Sequence, residues 1–292
     1  MNTSKQVFTG FFIVAGLTLP AFMQGSDSRT GAKSQPTLAI ARDPGTSKIV
    51  VKWTGKGVLK QSAELNGHFK PVHNSGAAGG ALVVDPAQGQ QLFRLESASG
   101  DIFSVNAVGY VHLALPPGLS LIANPLGNPD NDLSYWLPTA PDGAQVFKYT
   151  DGGGYEVSTF DAIQGAWSNP GLQIPIGTGF YFNNPSAETF PLTFVGDVLQ
   201  GVLINPLPAG ISTKGALVPQ AGSINSAHQI PGQPGDEIQI YTNDQQGGGS
   251  YSVSIFDAQQ NVWVPDLALQ VAQGFWIQKQ YSQDWVRTFF VN

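Results

Sequence analysis

The chain has 292 residues, a formal net charge of −6 and no cysteine. Without cysteine there are no disulfides, no thiolate chemistry and no Cys-ligated metal site, and a mildly acidic chain without basic clusters argues against nucleic-acid binding. Charged residues make up only 12% and aromatic residues 11%, beside 35 Gly and 21 Pro, which argues against disorder and describes short strands punctuated by turns.

In chain order, residues 1–25 read as an export signal. Lys5 supplies a thin positive region, Val7 to Leu19 is apolar and uncharged, and Pro20 with Gly25-Ser26-Asp27 closes the segment. The apolar run is short against the roughly 20 residues of a membrane span, and no other stretch could cross a bilayer. Retention as an N-terminal anchor is the alternative. An exported chain without disulfides points to a bacterial protein, secreted or at the cell surface. Residues 26–35 read as a flexible leader.

Residues 36–98 form the next unit. Ile49 to Trp53, Leu82 to Val84 and Leu92 to Leu95 read as strands separated by Gly- and Asn-rich turns, so four to six strands make a small sandwich. Ser97 to Gly100 reads as a linker.

The remainder is one module written twice, over 104–196 and 197–292. Gly109, Leu115, Pro116, Gly118 and Ser120 recur 92 positions later as Gly201, Leu207, Pro208, Gly210 and Ser212. A four-residue insertion in the glycine loop moves the offset to 96, so Tyr155, Phe160, Asp161 and Trp167 recur as Tyr251, Phe256, Asp257 and Trp263. Beyond the tryptophan the offset is 95, pairing Gly179-Phe180 with Gly274-Phe275. Within each copy apolar residues alternate with a period of two, as in Val111, Leu113, Leu115 and in Tyr155, Val157, Thr159, the pattern of antiparallel strands with one buried face. Asp151 to Gly154 reads as a hairpin loop. A short helical turn is expected near Asn131 to Leu137, with Asp132 or Ser134 as cap.

Three segments carry a resemblance. Gly118-Leu119-Ser120-Leu121-Ile122-Ala123-Asn124-Pro125-Leu126, Trp167-Ser168-Asn169-Pro170 and Gly177-Thr178-Gly179-Phe180-Tyr181-Phe182 together resemble a module of uncharacterised secreted β-repeat proteins of Verrucomicrobia and Planctomycetes. Upstream, Val51 to Ser62 and Gln91 to Leu95 look like an immunoglobulin- or fibronectin-type module of the same proteins. The resemblance covers about 250 residues and carries no catalytic residues. The second copy departs from it, with Thr213-Lys214-Gly215-Ala216 where the first has Leu121 to Asn124.

Candidate sites are few. The paired units Phe160-Asp161…Trp167 and Phe256-Asp257…Trp263 suit either a sugar-gripping Trp beside a carboxylate or a turn-opening Asp followed by a core Trp. On the strands that follow, Phe180 and Phe182 are expected in the core, and Tyr181 and Trp276 occupy the opposite face, where an exposed ring would suit a ligand or partner. Asn128 to Asp132, with Asp130 and Asp132, has a composition compatible with Ca²⁺ but lacks EF-hand spacing. His68, His73, His112 and His228 are scattered, and neither a nucleophile elbow nor a His-Glu-x-x-His helix occurs. Asp161 and Asp257 are the first candidates for a hydrolase carboxylate pair, although their matching contexts argue against divergent pKa values.

The expectation is therefore an all-β protein. An N-terminal immunoglobulin-like sandwich precedes two tandem copies of a sandwich- or barrel-like module packed as a pseudo-twofold pair. Its expected role is non-catalytic, in adhesion, matrix or assembly, with another surface protein or itself as partner. Polysaccharide binding through exposed aromatics is the alternative, and a secreted hydrolase the next.

Overall fold

The computed structural model describes residues 36–43, 46–65, 67–72, 79–86, 89–96, 106–150, 153–244 and 248–291. The expected signal peptide, leader and Ser97 to Gly100 linker, with Asp151 and Gly152 of the first glycine loop, lie outside them. What is described is nearly all β, as the alternation and turn density require.

The N-terminal segment contributes β1 (Thr37–Arg42), β2 (Ile49–Thr54), β3 (Val58–Ser62), β4 (Lys70–Pro71), β5 (Gly79–Val84) and β6 (Gln91–Glu96). The middle segment contributes β7 (Ala107–Leu115), β8 (Gly118–Ala123), α1 (Leu133–Trp136), β9 (Gln145–Tyr149), β10 (Tyr155–Asp161), β11 (Ala166–Trp167), β12 (Gly179–Asn184) and β13 (Phe190–Val198). The C-terminal segment contributes β14 (Gly201–Leu207), β15 (Gly210–Gly215), β16 (Gly222–Ser223), β17 (Glu237–Asn243), β18 (Gly249–Asp257), β19 (Val262–Val264), β20 (Ala268–Leu269), β21 (Gly274–Lys279) and β22 (Gln283–Phe289). The one helical turn falls where the sequence places it, with Asp132 as N-cap, though its side chain makes no capping bond.

Two five-stranded antiparallel sheets have the same order: β11-β10-β9-β12-β8 and β19-β18-β17-β21-β15. Each segment also has a long ribbon, β7 with β13 and β14 with β22. The ribbons then differ. β6 pairs with β7, so one sheet, β13-β7-β6-β3-β4, runs from the N-terminal segment into the middle one. The three-stranded sheet β1-β2-β5 covers that sheet, with Leu38, Ile49, Val51 and Trp53 packed in one cluster with Phe93, Val108 and Tyr110. Among the described residues β14 pairs only with β22.

Phe180 and Phe182 are fully buried in the large core of the middle segment, together with Trp136, Phe160, Trp167 and Phe194. The corresponding core of the C-terminal segment holds Trp263, Phe275, Ile277 and Trp285.

The two five-stranded sheets meet through reciprocal contacts. The Ala123 amide donates to Ala272 O at 2.9 Å, and the Gly215 amide donates to Gly177 O at 2.9 Å. Ala123 and Gly215 are related by the offset of 92, and Gly177 and Ala272 by 95, so each bond is the image of the other. The bridges Ile122 with Gln273 and Thr178 with Lys214 obey the same exchange. So do the glycines: a Cβ on Gly179 would lie 2.9 Å from Lys214 O, and one on Gly274 would lie 3.0 Å from Ile122 O. The backbones approach this closely because those positions carry no side chain. Gly177 has φ +78°, and Ala272 holds the same left-handed region at +60° without glycine's freedom.

Gly215 faces the Ala123 methyl group, and an added Cβ there would fall inside its van der Waals shell. Gly215→Ala is therefore expected to destabilise the chain by about 1–3 kcal/mol through overpacking. Adding Ala123→Gly should recover most of the loss, because the pair then exchanges places. Urea unfolding of the two single variants and the double variant measures the coupling.

Candidate functional site

The junction between the sheets is lined by aromatic rings, and the sequence explains how they come together. On β12 the core takes Phe180 and Phe182, which turns Tyr181 to the opposite face; on β21 the core takes Phe275 and Ile277, which turns Trp276 likewise. These two outer faces meet. Tyr181 and Trp276 are 6% and 7% exposed and are buried together with Leu121, with Phe147, Tyr149 and Tyr241 packed around them. The expectation of exposed rings at Tyr181 and Trp276 is thus corrected, because the face opposite one core is covered by the neighbouring sheet.

The rings form a continuous ladder. Tyr155 packs on Tyr149 at 5.6 Å, Tyr149 on Trp276 at 4.8 Å and Trp276 on Tyr181 at 6.3 Å between centroids. Tyr181 packs on Tyr241 at 5.7 Å, and Tyr241 on Tyr251 at 5.2 Å. The Trp276 indole N–H donates to Tyr181 Oη at 2.8 Å, and the Tyr181 and Tyr251 hydroxyls are 2.5 Å apart. Burial, then the hydrogen bond with Tyr251, holds the Tyr181 phenol well above its ordinary pKa, with the Trp276 N–H opposing. The ladder is most exposed at its two ends, Tyr155 and Tyr251, beside Val157 and Val253, while Tyr149 and Tyr241 are half-buried.

The Phe-Asp…Trp units are structural. Trp167 donates its indole N–H to Leu137 O at 2.7 Å and packs on Phe160; Trp263 donates to Ile230 O at 2.8 Å and packs on Phe256. Both tryptophans are buried, at 4% and 1% exposure, so sugar cannot stack on them. Asp161 Oδ1 accepts the Ile163 and Gln164 amides, and Asp257 Oδ1 accepts those of Gln259 and Gln260. The Gln260 amide, then that of Gln259, lowers the Asp257 pKa. Both carboxylates open turns, which is the second of the two readings the sequence allowed.

Asp130 and Asp132 do not gather a ligand set. Asp130 Oδ1 accepts the Asp132 amide, Asp132 is bonded by Gln173, and no group of three His, Asp or Glu side chains suited to a metal occurs among the described residues. A cavity of about 10 Å³, room for about one water molecule, is lined by Leu203, Asn205, Leu217, Val218, Trp285 and Arg287. That is below the ~300–1,000 Å³ of ordinary small-molecule sites.

The burial of three polar side chains, Lys279, Asp236 and His228, escaped the sequence reading. Lys279 pairs with Asp236, both side chains fully buried, and also donates to Gln283 Oε1 and Pro231 O. Asp236 further accepts the Gln233 and Gln280 amides, so the pair is satisfied and fixes the loop before β17. Nothing in the local sequence marks it, because the offset positions in the middle segment are Asn184 and Ala144. His228 is fully buried, and neither ring nitrogen has a hydrogen-bond partner.

No family model matches the chain, and no curated protein matches it significantly.

Burial, and then the Arg287 charge, lowers the His228 pKa from 6.5 to about 4. The unfolded chain takes up this proton near pH 6.5 and the folded chain only near pH 4. Stability is therefore full above pH 6.5 and falls as the pH drops through that window, by about 3 kcal/mol once the folded value is passed. His228→Phe should remove that part of the slope, measured as urea-unfolding free energy from pH 7 to pH 4.

Proposed function

We propose that this is an exported bacterial protein that acts outside the cell or at its surface as a non-catalytic structural element, in adhesion or assembly. On this reading an immunoglobulin-like N-terminal module precedes a duplicated β module whose copies pack as a pseudo-twofold pair. The resemblance to secreted β-repeat proteins supports the compartment, and the reciprocal junction supports the pairing.

One observation carries the functional reading. Exposed apolar side chains line up on the sheet faces beside the junction: Tyr155 and Val157 on β10, and Tyr251, Val253 and Ile255 on β18. On each strand every second residue of this stretch is apolar, with Glu156, Ser250 and Ser252 alternating between them, and an exposed apolar row is the mark of a surface that meets something. The carboxylates first considered for catalysis are meanwhile occupied in turns.

Polysaccharide recognition is the second reading, and the ladder's ends favour it. Tyr155 and Tyr251 each present a half-exposed ring with a hydroxyl, the combination that stacks on a sugar face and bonds its hydroxyl groups.

The two readings separate in one experiment. The purified chain and a Tyr155→Ala/Val253→Ser variant are tested on a glycan array and on cell-surface fractions of the exporting cells. Assembly predicts retention on surface protein that the variant loses, with a blank array. Binding to a defined glycan that the variant loses favours the polysaccharide reading. Retention that the variant leaves unchanged contradicts both.

A further inference from the structure

The two ribbons are the same structure finished in two ways. In the middle segment β6 adds to the outer edge of β7, pairing Gln91 with Tyr110, Leu92 with Gly109 and Phe93 with Val108. Leu92 closes over the glycine: a Cβ on Gly109 would lie 2.6 Å from Leu92 Cδ2. The β1-β2-β5 sheet then covers the face that carries Val108 and Tyr110.

In the C-terminal segment the same places are open. Among the described residues no strand pairs with the outer edge of β14. Gly201, which stands where Gly109 stands, has nothing within 4 Å of an added Cβ. Val202 and Ile204, at the positions of Tyr110 and His112, are 67% and 53% exposed, and Val286 and Phe290 beside them are exposed too. Edge strands of monomeric β proteins are commonly blunted by charge or proline. β14 reads Gly-Val-Leu-Ile-Asn-Pro-Leu, without a charge, and its only breaker is Pro206 near the far end.

We propose that the outer edge of β14 pairs antiparallel with β14 of a second copy of this chain. The proposal rests on the assembly reading above and adds to the β10 and β18 row a second contact, with another copy, at β14. An antiparallel strand pair is itself twofold symmetric, so one open edge is its own complement and no second surface is needed. The middle segment sets the register. With the axis at Val202, Leu203 of each chain lies opposite Gly201 of the other, as Leu92 lies opposite Gly109. Val202 meets its own copy, and Ile204 becomes its diagonal neighbour. Pro206 falls opposite position 198, beyond β14, where its missing N–H interrupts no pairing. The uncharged face brings no like charges together, although the chain as a whole is acidic.

The absence of cysteine makes the register directly testable. Residues paired on the axis have Cα atoms about 4.5–5.5 Å apart, within the 4.4–6.8 Å span of a disulfide. Positions 204 would be separated by four residues along the strands, more than about 12 Å. The purified chain should sediment as a dimer, and Val202→Cys should cross-link to a covalent dimer under mild oxidation while Ile204→Cys does not. Val202→Lys sets two ammonium groups against each other and should weaken self-association roughly tenfold or more. Its far-UV circular dichroism should stay unchanged, and Ile163→Lys, in the exposed turn between β10 and β11, should leave the dimer intact. A chain that stays monomeric at high concentration, a dimer indifferent to Val202→Lys, or equal cross-linking at both positions would overturn the proposal. A monomer would leave retention on the cell surface, and so the assembly reading, to be judged separately.

Discussion

The structure depends on a close approach of backbone to backbone. The Ala123 and Gly215 amides each reach a carbonyl of the opposite segment at 2.9 Å, and Gly179 and Gly274 keep side chains out of the gap. Hydrogen bonds at that separation are worth about 1 kcal/mol each, so they fix position more than they supply stability. Stability at the junction comes from the rings the approach brings together. Burying the Tyr181 phenol and the Trp276 indole unpartnered would cost free energy, and each is the other's hydrogen-bond partner.

This constraint decides what is left for function. The strongest aromatic positions are spent on holding the two sheets together, and both Phe-Asp…Trp units are spent on turns and cores. Exposed apolar residues line β10 and β18 beside the junction and the β14 ribbon beyond it, while others such as Val83, Tyr135, Ile163 and Tyr281 stand apart from these rows. Apolar strand faces and an apolar edge suit contact over area, as the assembly proposed above requires. The sheet that runs from β4 to β13 shows inside the chain what such contact looks like when it is complete.

Much of this was legible in the sequence, and the limits are physical. Alternation identified the strands, and it correctly sent Phe180 and Phe182 to the core, because a period of two has only two faces. It could not say that the other face, with Tyr181 and Trp276, was also covered, since that depends on where a second sheet lands. The tryptophans of the paired units were undecided between plug and platform until their indole N–H groups were seen to reach Leu137 O and Ile230 O. Lys279 and Asp236 lie 43 positions apart on unrelated-looking segments, and only the fold brings them into contact. The open edge of β14 was invisible for the same reason: Gly109 and Gly201 look alike in sequence, and differ in whether a strand arrives.

The central claim is that the two sheets are one cooperative structure held at the Ala123 and Gly215 junction. Native-state hydrogen exchange at those two amides tests it most directly. The account predicts that both exchange only through global unfolding, with equal protection and at the level of the Phe180 and Phe275 amides in the core strands. Early exchange at Ala123 and Gly215, while the strands on either side stay protected, would mean that the segments separate freely and would contradict it.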